Sequence, residues 1–218
     1  MNTVLILSGG MDSATLAYHL IEKDHTIYAV TFNYSQRHKK EIDSAIKIAK
    51  HLNISHTILD ISNIGMLLKG SSLTDDIPTP HGHYTAENMK LTVVPNRNAI
   101  MLSIAYGIAV SLKYDMVAIG VHAGDHHIYP DCRENFIHAI EHSLQIGNES
   151  NITIYAPYLT YDKTDIAEEG AKLSVPYQDT WTCYEGGENH CGLCGSCNER
   201  KEAFKLANVK DVTEYKCT

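Results

Sequence analysis

The chain is short of positive charge: 18 Lys+Arg stand against 26 Asp+Glu, a formal net charge of −8. That balance argues against a broad phosphate-binding surface, and so against direct binding of tRNA or duplex DNA, although a local basic funnel is compatible with it. Long hydrophobic runs are missing too. The longest nearly apolar stretch, residues 99–112, falls short of the roughly 20 residues that a membrane-spanning helix needs. The apolar start at residues 1–7 has no charged n-region and no cleavage site, and it runs straight into Ser8-Gly9-Gly10, so no export signal is expected. No internal repeat is visible. The six cysteines are not spread as a disulfide framework would spread them, because four fall between Cys183 and Cys197. Such crowding suggests a metal. These absences together predict a cytoplasmic protein with no membrane association.

What is present reads as a folded α/β chain. A length of 218 residues fits one domain, or one domain with a small appendage, and suffices to bury a core without disulfides. Hydrophobic periodicity predicts strands over 3–7, 27–32, 56–60, 116–120 and 152–156. Helices are predicted over 12–22, 38–52, 96–113, 131–147, 163–173 and 199–207. The alternation implies a doubly wound, mostly parallel sheet, with ligands beyond the C-terminal strand ends. Residues 67–94 lack a clear period and read as a surface excursion or an active-site flap. The character changes at Pro176, which divides the expected organisation into an α/β domain, 1–175, and a metal-held appendage with a terminal helix, 176–218.

Ser8-Gly9-Gly10-Met11-Asp12-Ser13 follows the first strand and opens a helix. Glycines there let the backbone approach an anion, and the free N–H groups of the helix start point at it. Ser8 and Ser13 add hydroxyl donors. Asp12 repels phosphate, so it either holds Mg²⁺ or caps the helix. A plain tight turn with an Asp cap is the alternative. The turn matches neither the dinucleotide G-x-G-x-x-G pattern nor the G-x-x-x-x-G-K-[ST] loop.

Cys183, Cys191, Cys194 and Cys197 have the spacing C-x7-C-x2-C-x2-C. Four thiolates close a tetrahedral Zn²⁺ shell, and Gly192 and Gly195 permit tight turns between ligands. With no open position the ion would be structural. Three other uses of this run stand beside that one: an iron–sulfur cluster, a Cys191–Cys194 redox pair, and His190 replacing one thiolate. Arg200 or Lys201 could offset the negative charge of the thiolate shell.

The first motif resembles the S-G-G-x-D-S signature of the PP-loop ATP pyrophosphatases. Further segments narrow the resemblance: Tyr34-Ser35-Gln36-Arg37-His38 with Glu41, Val94-Pro95-Asn96-Arg97-Asn98, Tyr129-Pro130-Asp131-Cys132-Arg133, and Thr180-Trp181-Thr182-Cys183 leading into the cysteine cluster. In order, and over essentially the whole chain, they are similar to the QueC family of 7-cyano-7-deazaguanine synthases. Ser35 and Asn96 depart from the family, which usually has glycine at both.

The resemblance implies the adenine nucleotide alpha hydrolase-like PP-loop fold with a small C-terminal four-cysteine zinc appendage. It also implies an ATP-dependent ligase with AMP and diphosphate as products. 7-Carboxy-7-deazaguanine would be adenylated and amidated by ammonia, and the amide would be activated by a second ATP and dehydrated to the nitrile. One structural Zn²⁺, Mg²⁺ with ATP and a homodimer come with the family. Carried over residue by residue, Ser8, Gly9, Gly10, Met11, Asp12 and Ser13 would bind nucleotide. Arg97, Lys163 and His38 are candidate catalytic groups, weighed against solvated or helix-entry roles. Gln36, Asp125, Tyr129, Asp131 and Arg133 are candidates for the substrate. Among these, Asp131 has a helix cap as its alternative, and Tyr129 and Trp181 have ordinary core packing. His122, His126 and His127 have no spacing that fixes a second metal site. A tRNA sulfurtransferase-like enzyme and a non-catalytic zinc-ribbon module are the competing classes, which the charge and the intact turn disfavour.

Overall fold

The computed structural model describes residues 1–83 and 87–216. Five strands, β1 (Asn2–Ile6), β2 (Thr26–Asn33), β3 (Ser55–Asp60), β4 (Met116–Ala118) and β5 (Thr153–Tyr155), form one sheet of order β3-β2-β1-β4-β5. Every pairing is parallel, with Thr3 opposite Ile27 on one side and opposite Met116 on the other. The chain order reverses on either side of β1, so the crevice beyond the ends of β1 and β4 is the topological switch point where such sheets hold ligands.

Helices cover both faces, which is why β1 reads as an unbroken apolar run. The period of two sorts its side chains. Val4 and Ile6 face a cluster with Leu102, Ala105 and Tyr106 of α4 (Arg97–Leu112). Leu5 and Leu7 face Leu16 and Leu20 of α1 (Met11–Glu22), Ile48 of α2 (Lys40–His51) and Ile166 of α6 (Lys163–Lys172). A short α3 (Ser62–Gly65) follows β3, and α5 (Glu134–Asn148) precedes β5.

Several boundaries differ from the sequence expectation. Helix α5 starts at Glu134 rather than 131, because Pro130–Cys132 is a 3-10 turn and Arg133 is extended. Helix α7 (Gly195–Leu206) starts four residues before the expected 199. Gly195 is therefore a helix residue, and of these two glycines Gly192 is the one with the positive φ of a turn. The expected boundary at 175/176 runs through a shared core, since Val175, Tyr177 and Phe204 lie in the same cluster as Leu5 and Leu16.

Residues 67–94 are pinned down over much of their length. Leu73, Met89 and Val94 are buried, and the Thr92 hydroxyl lies 2.5 Å from the Tyr129 hydroxyl. By length and composition alone, Met89–Leu112 would be able to cross a membrane. It is interrupted at Asn96, whose backbone is left-handed (φ 58°), and α4 packs Leu102, Ala105 and Tyr106 into the core. Ser35 (φ 65°) is left-handed as well. Both positions at which the similar family usually carries glycine thus adopt the conformation that glycine accepts most readily.

Candidate active site

Helix α1 begins at Met11 with Gly10 as its N-cap and no side-chain cap. The first-turn N–H groups of such a helix have no intrahelical acceptors and form an anion cradle. The turn is braced from within: the Ser8 and Ser13 hydroxyls lie 3.0 Å apart, and Gly10 N donates to Ser8 Oγ at 3.3 Å. Gly9 does not line the cavity. Its φ is +89°, and a Cβ there would stand 2.0 Å from the Glu41 carbonyl oxygen, so the residue is glycine because α2 lies against it.

A cavity of about 220 Å³ opens beside the turn at the switch point. Ser8, Gly10, Met11, Asp12 and Ser13 form one wall. Gln36, Arg97, Asp125, Tyr129 and Lys163 also line it, so the structure brings most of the sequence candidates together. Phe32, Met101, Ile119 and Val121 supply apolar surface.

Lys163 is the first residue of α6, held there by a capping box in which Asp162 accepts from Thr164 N (2.7 Å) and Asp165 N (3.0 Å). Its Nζ donates to both Asp12 oxygens, at 2.9 and 2.8 Å, and lies 3.1 Å from His122 Nε2 and 3.5 Å from Glu199 Oε2. Burial works against its charge, but the attraction of Asp12, Glu199 and Asp125 wins, and its pKa is raised. His122 is fully buried; its Nε2 also lies 3.4 Å from Asp125 Oδ2, while its Nδ1 has no partner among the described residues.

Arg97 stands with its guanidinium carbon 6.0 Å from the Tyr129 ring centre. Burial disfavours its charge, but its polar surroundings, the Tyr34 and Tyr129 phenols and the Asp131 carboxylate among them, more than restore it, and its pKa is raised. Glu41 also lines the cavity. Burial pushes its carboxyl up to about 7, against the opposing hydrogen bond from Gln36 and the charge of Arg97. Cys132 is buried in the wall, and desolvation with Asp125 and Asp131 nearby keeps it a protonated thiol.

Other candidates sit differently from the sequence reading. Arg133 is exposed and outside the cavity, with its Nε on the His126 carbonyl oxygen (2.9 Å). Asp131 does not cap its own helix: its Oδ2 accepts from Asn98 N (3.1 Å) in the first turn of α4, which fixes the neighbourhood of Arg97. Gln36 has its amide engaged internally, accepting from Tyr34 N (2.8 Å) and donating to Phe32 O (3.1 Å) and Glu41 Oε1 (3.0 Å), so it props Glu41. His38 is half-buried beside Gly186 and does not line the cavity, and burial lowers its pKa. Glu199 and Tyr184, which sequence reasoning did not single out, do line it. An acid inside a C-terminal helix carries no sequence signal of that role.

Cys183, Cys191, Cys194 and Cys197 are all buried, with their Sγ atoms within 4.8 Å of one another. A Zn–S bond of about 2.3 Å puts the edge of a thiolate tetrahedron near 3.8 Å, and Cys191 Sγ lies 3.9 Å from Cys197 Sγ. Backbone N–H groups support the sulfurs: Cys191 N donates to Cys183 Sγ (3.3 Å) and Cys194 N to Cys191 Sγ (3.3 Å). The donor set fits one tetrahedral ion. His190 is no ligand, because its Nε2 accepts from Thr182 N at 3.1 Å. Arg200 is fully buried, donating to Thr180 Oγ1 (2.8 Å), Thr182 Oγ1 (3.1 Å) and Tyr177 O (2.9 Å), so it ties α7 to the preceding loop. Lys201 Nζ donates to Gly192 O (3.1 Å).

A family model described as "Queuosine biosynthesis protein QueC" matches residues 2–208. The chain is 50% identical over 217 residues to the 7-cyano-7-deazaguanine synthase of Rhizobium rhizogenes, covering 99% of this chain and 92% of that one. It is 51% identical over 217 residues to the protein of the same name from Brucella anthropi, covering 99% and 94%. Among solved structures it is similar to the U34-tRNA thiolase NcsA from Methanococcus maripaludis with its 4Fe-4S cluster (TM-score 0.55, 17% identity, 100% of this chain and 75% of that one). It is also similar to the NMN synthetase from Francisella tularensis (TM-score 0.54, 16% identity, 96% and 78%). Likeness at these identities shows the fold alone.

Proposed function

Because the chain belongs to the QueC family of queuosine biosynthesis proteins, we infer that it is a 7-cyano-7-deazaguanine synthase, forming the nitrile from 7-carboxy-7-deazaguanine, ammonia and ATP. The observation that carries the reading is the pairing of Lys163 with Asp12 at the mouth of the glycine turn, 2.8 Å apart, beside a partly apolar cavity at the switch point. A phosphate cradle and a buried cation next to room for a planar acid suit the adenylation of a carboxylate.

In this reading the backbone of Gly10–Ser13 and the hydroxyls of Ser8 and Ser13 hold the β- and γ-phosphates. Mg²⁺, held by Asp12, would offset phosphate charge. A substrate carboxylate oxygen attacks the α-phosphorus and diphosphate leaves into the turn. Ammonia then attacks the acyl carbon, sheds a proton and displaces AMP. The amide oxygen attacks the α-phosphorus of a second ATP, diphosphate leaves again, and loss of the two N–H protons with departure of AMP leaves the nitrile. Lys163 neutralises phosphate charge at each adenylation, and Arg97 orients the acid. Glu41, with its raised pKa, takes a proton near neutral pH. Tyr129 and Tyr184 flank the substrate, and Asp125 accepts from its base edge.

The four cysteines would hold one structural Zn²⁺. The close approach of their sulfurs supports a single ion over an iron–sulfur cluster, whose several irons spread the thiolates wider. The half-buried Ile100, Ile104 and Ile108 and the exposed Leu112 leave apolar surface on α4 that supports a homodimer. The net charge of −8 supports a small-molecule substrate over a nucleic acid, and a cytoplasmic enzyme is consistent with both.

The test is a steady-state assay with ATP, Mg²⁺, ammonium and 7-carboxy-7-deazaguanine, read by mass spectrometry. Nitrile with AMP is the expected result. AMP without nitrile would make the acid a different one, and no substrate-dependent nucleotide turnover by folded, metal-replete protein would sink the reading.

A further inference from the structure

Glu199 reaches the glycine turn from an element that sequence reasoning assigned to a separate appendage. It stands two residues after Cys197 in α7, its side chain is 14% exposed, and its Oε2 lies 3.5 Å from Lys163 Nζ. Helix α7 is immobilised on several sides. The cysteine cluster holds its start, Asn198 Nδ2 donates to Gly82 O (2.8 Å), Arg200 makes three hydrogen bonds to residues 177–182, and Phe204 is in the core. Asp12, the other carboxylate on Lys163, belongs to the turn that the ligand itself would touch. Glu199 is the anchor carried by a rigid element.

We propose that Glu199 is a positioning residue: its carboxylate holds the Lys163 ammonium beside the glycine turn and so couples the four-cysteine segment to nucleotide binding. The proposal rests on the reading that this turn binds ATP. Lys163 there faces two carboxylates, Asp12 and Glu199, with Asp125 close by, so an incoming triphosphate competes with them for one cation. Glu199 therefore weakens ground-state binding of ATP while keeping the ammonium in one place for the transition state. Removing only its charge separates these effects, giving tighter ATP binding and slower turnover. A side chain that merely supports the fold would move neither in that combination. Reciprocity adds a second signature, since a ligand that draws on Lys163 must act back on the helix that the metal anchors.

The experiment compares wild-type protein with Glu199→Gln, each carrying its metal, by calorimetric titration of ATP with and without Mg²⁺, by kcat and by the rate of metal transfer to a chelator. The expected result is a Kd for ATP about fivefold lower or more in the variant, a kcat lower by about tenfold, and retention of one metal ion per chain. ATP should speed metal transfer from the wild type and not from the variant, because it draws Lys163 away from Glu199 on the helix that the metal anchors. Glu199→Asp, which keeps the charge one methylene further back, should lower kcat and leave ATP affinity unchanged, and it covers the case in which the Gln variant misfolds. Wild-type values for kcat and Kd in Glu199→Gln would overturn the proposal. So would a loss of ATP affinity seen only with Mg²⁺, which would make Glu199 a cation ligand. If the wild type itself binds no ATP, the reading of the turn fails first, and the titration shows that before any variant is compared.

Discussion

The Trp181 backbone N–H donates to the Gly9 carbonyl oxygen at 2.9 Å. Two residues before the first cluster cysteine, the chain is thus bonded to the glycine turn that follows the first strand. The turn is held on its other side by the Glu41 carbonyl oxygen, which packs where a Gly9 Cβ would be.

Gly9→Ala should therefore be far worse than Gly10→Ala. The first places a Cβ 2.0 Å from a backbone oxygen at a φ of +89°; the second places it 3.4 Å from Ser8 Oγ at an ordinary φ. We expect Gly9→Ala to lose about 2–4 kcal/mol, and Gly10→Ala to stay within about 1 kcal/mol, as read by urea unfolding. Equal losses would show that α2 gives way freely.

Glu41→Gln should stabilise the protein above neutral pH. Burial raises the Glu41 carboxyl to about 7 from a usual 4.5, so between those values the native state holds a proton that the unfolded chain has released. Stability is then lost as pH rises through this window. The variant escapes that loss, and its advantage should be about 1–3 kcal/mol at pH 8 and vanish toward pH 4.5. A gain that does not depend on pH would contradict the assignment. Activity should fall in the same variant.

Lys163→Met should leave Asp12 and Glu199 without their cation. Breaking one side of a buried ion cluster costs about 3–5 kcal/mol when the carboxylates stay charged. The penalty should be largest near pH 8 and shrink as the pH falls, because the Glu199 carboxyl, already pushed up by burial, rises further once the Lys163 charge that holds it down is gone and takes up a proton. Turnover should be lost at every pH. Urea unfolding across a pH series reads the first effect and the nitrile assay the second.

The metal prediction concerns stoichiometry and stability together. Elemental analysis should find one zinc per chain, without iron or labile sulfide. Cys194→Ser should release it and lower the melting temperature, because Cys194 is one of the four buried thiols that close the shell. A metal-free variant that keeps wild-type stability would refute a structural ion.

Much of this was legible in the residues alone. The apolar run of β1 ending in Ser8-Gly9-Gly10, and the four cysteines at close spacing, state local requirements, and local requirements are written in contiguous residues. Even the departures at Ser35 and Asn96 are intelligible, as left-handed positions that small polar residues tolerate. The pairing of distant side chains was not legible. Which cation faces Asp12, that Glu199 stands behind Lys163, that Arg133 points away and that Gln36 spends its amide on Glu41 all depend on how α2, α6 and α7 pack on the sheet. Lys163 and Asp12 are 151 residues apart, and Glu199 comes from a different helix again, so no contiguous pattern records that the three meet. Composition and periodicity determined the α/β layering and the two local motifs; only tertiary packing decided which charges meet, because electrostatic partners are chosen by distance in space.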